Sequence, residues 1–171
     1  RRRHTRYISV TGVQTCALPI YIEAGIETEG IEFSADGQLL LVTNESDENV
    51  SVHDIATGKL VKKIDTKKFG LRPRGIKRSP DGNTFAVTLE LSDKLLILNK
   101  SFEVQEVIPT GNVPYGVTFN NAGTEIYVAL SKAKAIVLSE KSDKKADIIF
   151  LESLKKVYSC AVTAPALYEQ P

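Results

Sequence analysis

The chain has 171 residues, of which 42% are hydrophobic and 25% charged, and its formal net charge is +1. This composition is typical of a globular domain, and a charge so close to zero excludes the strong basic excess of a nucleic-acid-binding surface. Every apolar stretch is much shorter than the roughly 20 residues that a membrane-crossing helix needs, so the sequence predicts no membrane span.

Residues 1–20 are predicted to lie outside the fold, because RRRHTRYISVTGVQTCALPI resembles translated sequencing-adapter DNA. The segment is too polar to supply the apolar core of a secretory signal. It holds four of the 22 basic residues and none of the 21 acidic ones, so the remainder carries 18 basic against 21 acidic residues, a net charge of −3. Cys160 and His53 are the one cysteine and one histidine of that remainder, which excludes an intrachain disulfide and a CxxCH haem attachment.

From Gly30 onward the sequence repeats a pattern of glycine, aliphatic residue, any residue, large residue and small polar residue. The pattern begins at Gly30, Gly75 and Gly116, and a degenerate copy begins at Cys160. The spacings of 45, 41 and 44 residues match those of four-stranded propeller blades. The sequence therefore predicts an all-β partial β-propeller over 21–171, with three four-stranded antiparallel blades at about 30–74, 75–115 and 116–159. Flanking partial strands and an incomplete blade at 160–171 predict contacts with further blades of a longer propeller.

Turn signals inside each repeat divide the predicted blades into strands. Asp36-Gly37 and Asp81-Gly82 supply residues that tolerate the left-handed conformation of a tight hairpin. The apolar runs between such turns predict second, third and fourth strands at 39–42, 50–54 and 60–64, then at 84–87, 95–99 and 104–108, and finally at 125–130, 136–139 and 146–149.

The segments VTNESDENVSVHDIATGKLVKKI and RPRGIKRSPDGNTFAV resemble the YVTN family of β-propeller repeats, and the resemblance covers residues 21 to about 168. The segment VPYGVTFNNAGTEIYVAL is similar to a subgroup associated with quinoprotein systems of the bacterial periplasm. The resemblance implies a WD40-like superfamily fold and a bacterial, periplasmic or extracytoplasmic location. WD40-type readers themselves are disfavoured, because the chain has no tryptophan.

The predicted binding face is the one where the links between blades meet the turns between second and third strands. The position before the repeat glycine holds Glu29, Arg74, Tyr115 and Ser159 in successive copies, a variation that suits recognition better than packing. Arg72 and Arg74 are predicted to lie near the channel mouth and to hold an anionic group, because the planar guanidinium matches carboxylate or phosphate.

Arg78 is a further candidate, because it occupies the slot that Phe33 and Phe119 fill in the other copies. A guanidinium placed between blades needs a partner. The structural alternative is that Arg74 and Arg78 pair with carboxylates of a neighbouring blade, for instance Glu29 or Glu32, without any ligand.

The acidic turn at 45–49 contains several oxygen ligands but lacks the spacing of a twelve-residue EF-hand loop, so we predict no metal site. His53 and Asp54 are adjacent in one strand and therefore face opposite sides, which argues against a catalytic pair. We predict no catalytic residue and no cofactor. The favoured function is a non-enzymatic binding or scaffold module for an unidentified partner protein or small anionic ligand. The alternative is a fragment of a propeller enzyme, lactonase-like or cytochrome-d1-like, with its active site in further blades.

Overall fold

The structure, a computed structural model, describes residues 21–132, 135–140 and 146–150. Within these ranges the chain forms twelve strands in three four-stranded antiparallel sheets, with one short 3-10 turn at Glu90–Ser92. The first sheet contains β1 Thr28–Phe33, β2 Leu39–Asn44, β3 Asn49–Asp54 and β4 Leu60–Asp65; the second contains β5 Pro73–Arg78, β6 Thr84–Leu89, β7 Lys94–Asn99 and β8 Val104–Pro109; the third contains β9 Pro114–Phe119, β10 Glu125–Leu130, β11 Ala135–Glu140 and β12 Ala146–Phe150.

The predicted all-β partial propeller is confirmed: each sheet is one blade, with its strands in sequence order. Residues 1–20, the degenerate copy with Ser159 and Cys160, and the predicted incomplete blade at 160–171 lie outside the described residues. Among the described residues, no helix is long and apolar enough to cross a membrane.

Two apolar cores lie between consecutive blades. Because neighbouring residues of a strand point to opposite faces, Leu95 and Leu96 of β7 belong to different cores, which explains the nearly unbroken apolar run of that strand. The core between the first and second blades includes Leu41, Val50, Val52, Phe85, Val87, Leu96 and Leu98, and the core between the second and third includes Ala86, Leu95, Ile108, Ile126, Val128 and Leu130.

Each first strand contains a β-bulge at the repeat glycine. In the first blade Thr28 pairs with Asn44 and Ile31 with Val42, so two residues of β1 lie opposite one of β2. A bulge re-aims the side chains beside it. The two bulged residues and the residue opposite them are Glu29, Gly30 and Thr43 in the first blade, Arg74, Gly75 and Thr88 in the second, and Tyr115, Gly116 and Ala129 in the third.

In the first two blades, a buried threonine joins the bulge to the next blade. The Thr43 hydroxyl accepts a hydrogen bond from the Gly30 N–H at 2.7 Å and donates one to the Arg74 carbonyl oxygen of the second blade at 2.6 Å. Thr88 repeats this arrangement between the second and third blades, with both distances at 2.8 Å. The threonine therefore satisfies the N–H that the bulge leaves unpaired and also links two sheets.

Thr88→Val should lower the free energy of unfolding by about 1 to 2 kcal/mol, because it keeps the shape of the side chain while removing the hydroxyl from both hydrogen bonds. The measurement is urea unfolding, with Thr118→Val on the exposed side of β9 as the matched control. Equal losses in the two variants would contradict a linking role for Thr88.

Candidate functional site

The links between blades are held against the turns that follow the second strands. Glu27 and Arg72 have positive φ angles of 54° and 58°, a conformation that is uncommon for residues other than glycine. The Glu27 carbonyl oxygen accepts a hydrogen bond from the Glu45 N–H at 2.8 Å, and the Arg72 carbonyl accepts one from the Glu90 N–H at 2.9 Å. These repeated contacts place Glu45 and Glu90 beside the links.

A carboxylate in each of these turns also reaches the following blade. The Arg72 N–H donates to the Glu48 carboxylate at 2.6 Å, and the Val113 N–H donates to the Asp93 carboxylate at 2.7 Å. Glu48 therefore has a structural contact in the turn that the sequence analysis considered for a metal. Over the residues that the structure describes, no group of three or more His, Cys, Asp or Glu side chains could hold a metal ion.

Arg74 lies at the centre of the candidate site, and its side chain is only 17% exposed. Its Nη1 is 2.9 Å from a carboxylate oxygen of Glu90 and 3.5 Å from one of Glu45, and its Nη2 is 3.4 Å from Glu29. The guanidinium carbon lies 3.7 Å from the centre of the Tyr115 ring, within the range of a cation–π contact. One side chain therefore connects residues of three blades.

Arg72 lies beside Arg74 and is more exposed, at 36% of its side chain. Its Nη2 forms an ion pair with Glu45, and its Nε is 3.8 Å from Glu90. We call Glu29, Glu45, Arg72, Arg74, Glu90 and Tyr115 the rim cluster. It contains three carboxylates against two guanidinium groups, so its formal charge is −1 when all of them are ionised.

Burial shifts the pKa of the innermost carboxylate, Glu45. The Glu45 side chain is 1% exposed, and burial raises its pKa above the ordinary value of 4.5, although the charges of Arg74 and Arg72 act in the opposite direction. Burial alone would lower the pKa of Arg74, but the hydrogen bond to Glu90 and the charges of Glu45 and Glu29 raise it above its usual range. Arg74 is therefore a cation at neutral pH.

A pH dependence of stability follows from Glu45. Because its pKa is raised on folding, this group contributes stability below about pH 4.5, and that contribution is lost as the pH rises through the pKa of folded Glu45. We expect the free energy of unfolding of the unmodified chain to fall relative to that of Glu45→Gln as the pH rises. Urea unfolding between pH 4 and 7 measures this difference, and parallel pH profiles would contradict the raised pKa.

The structure brings four of the five predicted site residues together, since Glu29, Arg72, Arg74 and Tyr115 all belong to the rim cluster. Arg78 lies at the other end of β5. The backbone N–H of Arg78 donates to the Glu32 carboxylate at 3.2 Å. The ammonium group of Lys77 pairs with that same carboxylate at 2.9 Å.

The buried Nε of Arg78 has no hydrogen-bond partner. Arg78→Phe restores the aromatic residue that the other blades have at this position, Phe33 and Phe119. We expect it to leave the free energy of unfolding unchanged or to raise it by up to about 1 kcal/mol, because an unsatisfied buried polar group is removed. A decrease of more than about 1 kcal/mol in the free energy of unfolding, measured in urea, would contradict this prediction. It would show that Arg78 makes a contact that outweighs the cost of burying its unpaired Nε.

Glu45 and Glu90 belong to the site but were not predicted as site residues from the sequence. Both occupy the same repeat position, one residue after the second strand, at the end of β2 and of β6. An acidic residue at equivalent positions of two consecutive copies was a signal that could have identified them.

No protein-family model matches the chain, and no curated protein matches it in sequence. Solved structures do match. Hydrazine synthase of Kuenenia stuttgartiensis is 22% identical with a TM-score of 0.63, and the match covers 83% of this chain and 38% of that one. The WD40 repeats of RRP9 are 14% identical with a TM-score of 0.66, over 75% of this chain and 40% of that one.

A proposed 6-phosphogluconolactonase of Bacteroides uniformis is 15% identical with a TM-score of 0.60, and the match covers 71% of this chain and 39% of that one. The match spans 38 to 40% of the length of these three structures. At these identities the similarity shows the propeller fold alone. Proteins of different kinds share that fold.

Proposed function

We propose that the chain is a non-enzymatic β-propeller binding module whose rim cluster contacts a partner protein. The observation that carries this proposal is the arrangement around Arg74, which holds carboxylates and an aromatic ring from three blades at one face. Tyr115 remains 42% exposed there. An exposed aromatic side chain that packs on an ion-paired arginine is typical of an interaction hot spot.

The charges of the rim cluster favour a cationic group on the partner. The sequence-based hypothesis of an anionic ligand requires guanidinium nitrogens that are free to donate, whereas both terminal nitrogens of Arg74 face carboxylates. An anion would have to displace one of these carboxylates. A lysine or arginine of a partner would instead meet the excess carboxylate charge and the exposed surface of Tyr115.

The rim cluster also lacks the parts of an active site. It contains no histidine, serine or cysteine, and its central carboxylates pair with Arg72 and Arg74. The alternative function is a fragment of a propeller enzyme. Its support is the similarity to hydrazine synthase and to the proposed 6-phosphogluconolactonase, which share the fold with this chain at 22% and 15% identity. At these identities the similarity supports the fold alone.

Titration calorimetry with model ligands tests the proposal. The probes are a lysine-containing tetrapeptide with acetylated and amidated ends, the same peptide with glutamate in place of lysine, and inorganic phosphate. We expect the lysine peptide alone to bind, and Tyr115→Leu to weaken it by about five-fold, the equivalent of one cation–π contact. Lys77→Met, at an exposed residue outside the rim cluster, is the control and should leave binding unchanged.

Binding of phosphate or of the glutamate peptide, abolished by Arg74→Lys, would contradict the cationic partner and support the anionic one. Equal binding of all three probes to the unmodified chain and to Tyr115→Leu would contradict a role for the rim cluster.

A further inference from the structure

The three carboxylates of the rim cluster differ in how accessible they are to a partner. Glu45 is 1% exposed and pairs with Arg72 and Arg74. Glu90 is 13% exposed and accepts a hydrogen bond from Arg74 at 2.9 Å. Glu29 is 37% exposed, and over the described residues its ionic contact is with Nη2 of Arg74 alone, at 3.4 Å. Glu29 is therefore the carboxylate of the cluster that a partner reaches most easily.

Glu29 and Tyr115 flank Arg74 along the rim. The three residues occupy the same bulged position in consecutive blades, so Glu29 comes from the blade before Arg74 and Tyr115 from the blade after it. Nη2 of Arg74 is 3.4 Å from Glu29, and the guanidinium carbon is 3.7 Å from the centre of the Tyr115 ring. The rim cluster thus presents two exposed groups, a carboxylate and an aromatic ring, with one guanidinium between them.

The charge of the links and turns changes along the rim from the first blade to the third. In the first blade, residues 21–29 and 44–49 contain no basic residue and six acidic ones: Glu23, Glu27, Glu29, Glu45, Asp47 and Glu48. In the third blade, the link at 110–115 contains no charged residue. The Glu29 side of the rim therefore has the negative potential, while the Tyr115 side offers a neutral aromatic face.

This surface has enough negative charge for two cations. The rim cluster has a formal charge of −1, and Glu27, Asp47 and Glu48 add three further carboxylates in the adjoining link and turn. Two of these are held in place, since Asp47 accepts the Ile26 N–H at 3.0 Å and Glu48 accepts the Arg72 N–H at 2.6 Å. A partner with a single cation would leave most of this charge unmatched.

We propose that the partner is an extended basic segment with two cationic side chains two residues apart, one on the Tyr115 ring and one on the Glu29 carboxylate. This inference rests on the proposed function and specifies its partner. Residues i and i+2 of an extended chain point to the same side, about 7 Å apart. That spacing matches two groups that contact one guanidinium from neighbouring blades, at 3.4 and 3.7 Å. Residues i+1 and i+3 point to the other side, so the alternate spacing alone brings both cations to the rim.

Four tetrapeptides with acetylated and amidated ends test this spacing. Lys-Gly-Lys-Gly, Lys-Lys-Gly-Gly and Lys-Gly-Gly-Lys have the same charge, and Lys-Gly-Gly-Gly is the single-lysine reference. Magnetic resonance titration of the unmodified chain, followed at the Tyr115 ring and the Glu29 side chain, gives the Kd of each. We expect Lys-Gly-Lys-Gly to bind about five-fold more tightly than either of the other two-lysine peptides, the equivalent of one exposed ion pair.

Two matched variants locate the second cation. Glu29→Gln removes the charge with little change of shape, so it should bring the three two-lysine peptides to the same affinity. Glu106→Gln makes the same chemical change on β8, the outermost strand of the second blade, and should keep the preference for Lys-Gly-Lys-Gly.

Failure of all four peptides to bind would overturn the proposed function and this inference together. Binding of the single-lysine peptide with equal affinities for the three two-lysine peptides would leave the proposed function standing and overturn the alternate spacing. A preference for Lys-Gly-Lys-Gly that persists in Glu29→Gln would overturn the role of Glu29.

Discussion

Gly75→Ala is expected to lower the free energy of unfolding by about 3 kcal/mol, at the upper end of what overpacking costs. An added Cβ would lie 2.4 Å from the Tyr115 carbonyl oxygen and 3.3 Å from the Gly116 Cα. Both are main-chain atoms of the third blade and cannot rotate away. The methyl group would therefore push the second and third blades apart and stretch the hydrogen bond between Thr88 and Tyr115.

Gly116 provides the matched control, because no described atom lies within 4 Å of the Cβ that alanine would add there. Gly116→Ala should change the stability by less than about 0.5 kcal/mol, as surface substitutions usually do. Gly30→Ala should behave like Gly75→Ala, since its Cβ would lie 2.4 Å from the Arg74 carbonyl oxygen. Similar urea-unfolding curves for the Gly75 and Gly116 variants would contradict the packing of the second blade on the third.

Arg74→Ala is expected to cost about 3 kcal/mol, because removal of one partner leaves a buried charge uncompensated. Glu45 would then pair with Arg72 only, and Glu90 and Glu29 would lose their contact with the Arg74 cation. Arg74→Lys should recover part of the loss, since an ammonium group restores the charge but lacks the planar fork that reaches several carboxylates.

Lys77→Ala is the control for Arg74→Ala, because it removes an ion pair whose lysine is exposed. Such pairs contribute at most about 1 kcal/mol. Urea unfolding at pH 7 compares the two variants. An Arg74→Ala variant as stable as Lys77→Ala would show that the rim cluster does not connect the blades.

The fold could be predicted because its determinants are local. Turn residues such as Asp81-Gly82 and the regular spacing of the repeat glycines act within one hairpin or one blade, and the predicted strands agree with the observed ones to within two residues. The predicted blades begin at about the repeat glycines, whereas each first strand begins two residues earlier. The repeat glycine is the third residue of the strand, because the bulge allows the strand to continue through Gly30 and its equivalents.

The candidate site could be predicted only in part. Glu29, Arg74 and Tyr115 share one repeat position, so propeller symmetry makes them neighbours. The neutralisation of Arg74 depends on Glu45 and Glu90, which approach it only because links and turns meet in the folded chain.

Strand periodicity contained a further signal that the sequence analysis did not use. Ser51 and His53 are two residues apart in one strand and therefore face the same side, where they form a hydrogen bond. Asp54, the neighbour of His53 in the sequence, faces the opposite side.

The measurement that tests the proposed function most directly is magnetic resonance of the Tyr115 ring and the Arg74 side chain during titration with the lysine peptide and with phosphate. We predict that the lysine peptide shifts the ring signals of Tyr115 saturably, while phosphate leaves the Arg74 signals in place because carboxylates already face that guanidinium. A saturable shift of the Arg74 signals by phosphate, with no response of Tyr115 to the lysine peptide, would contradict the account.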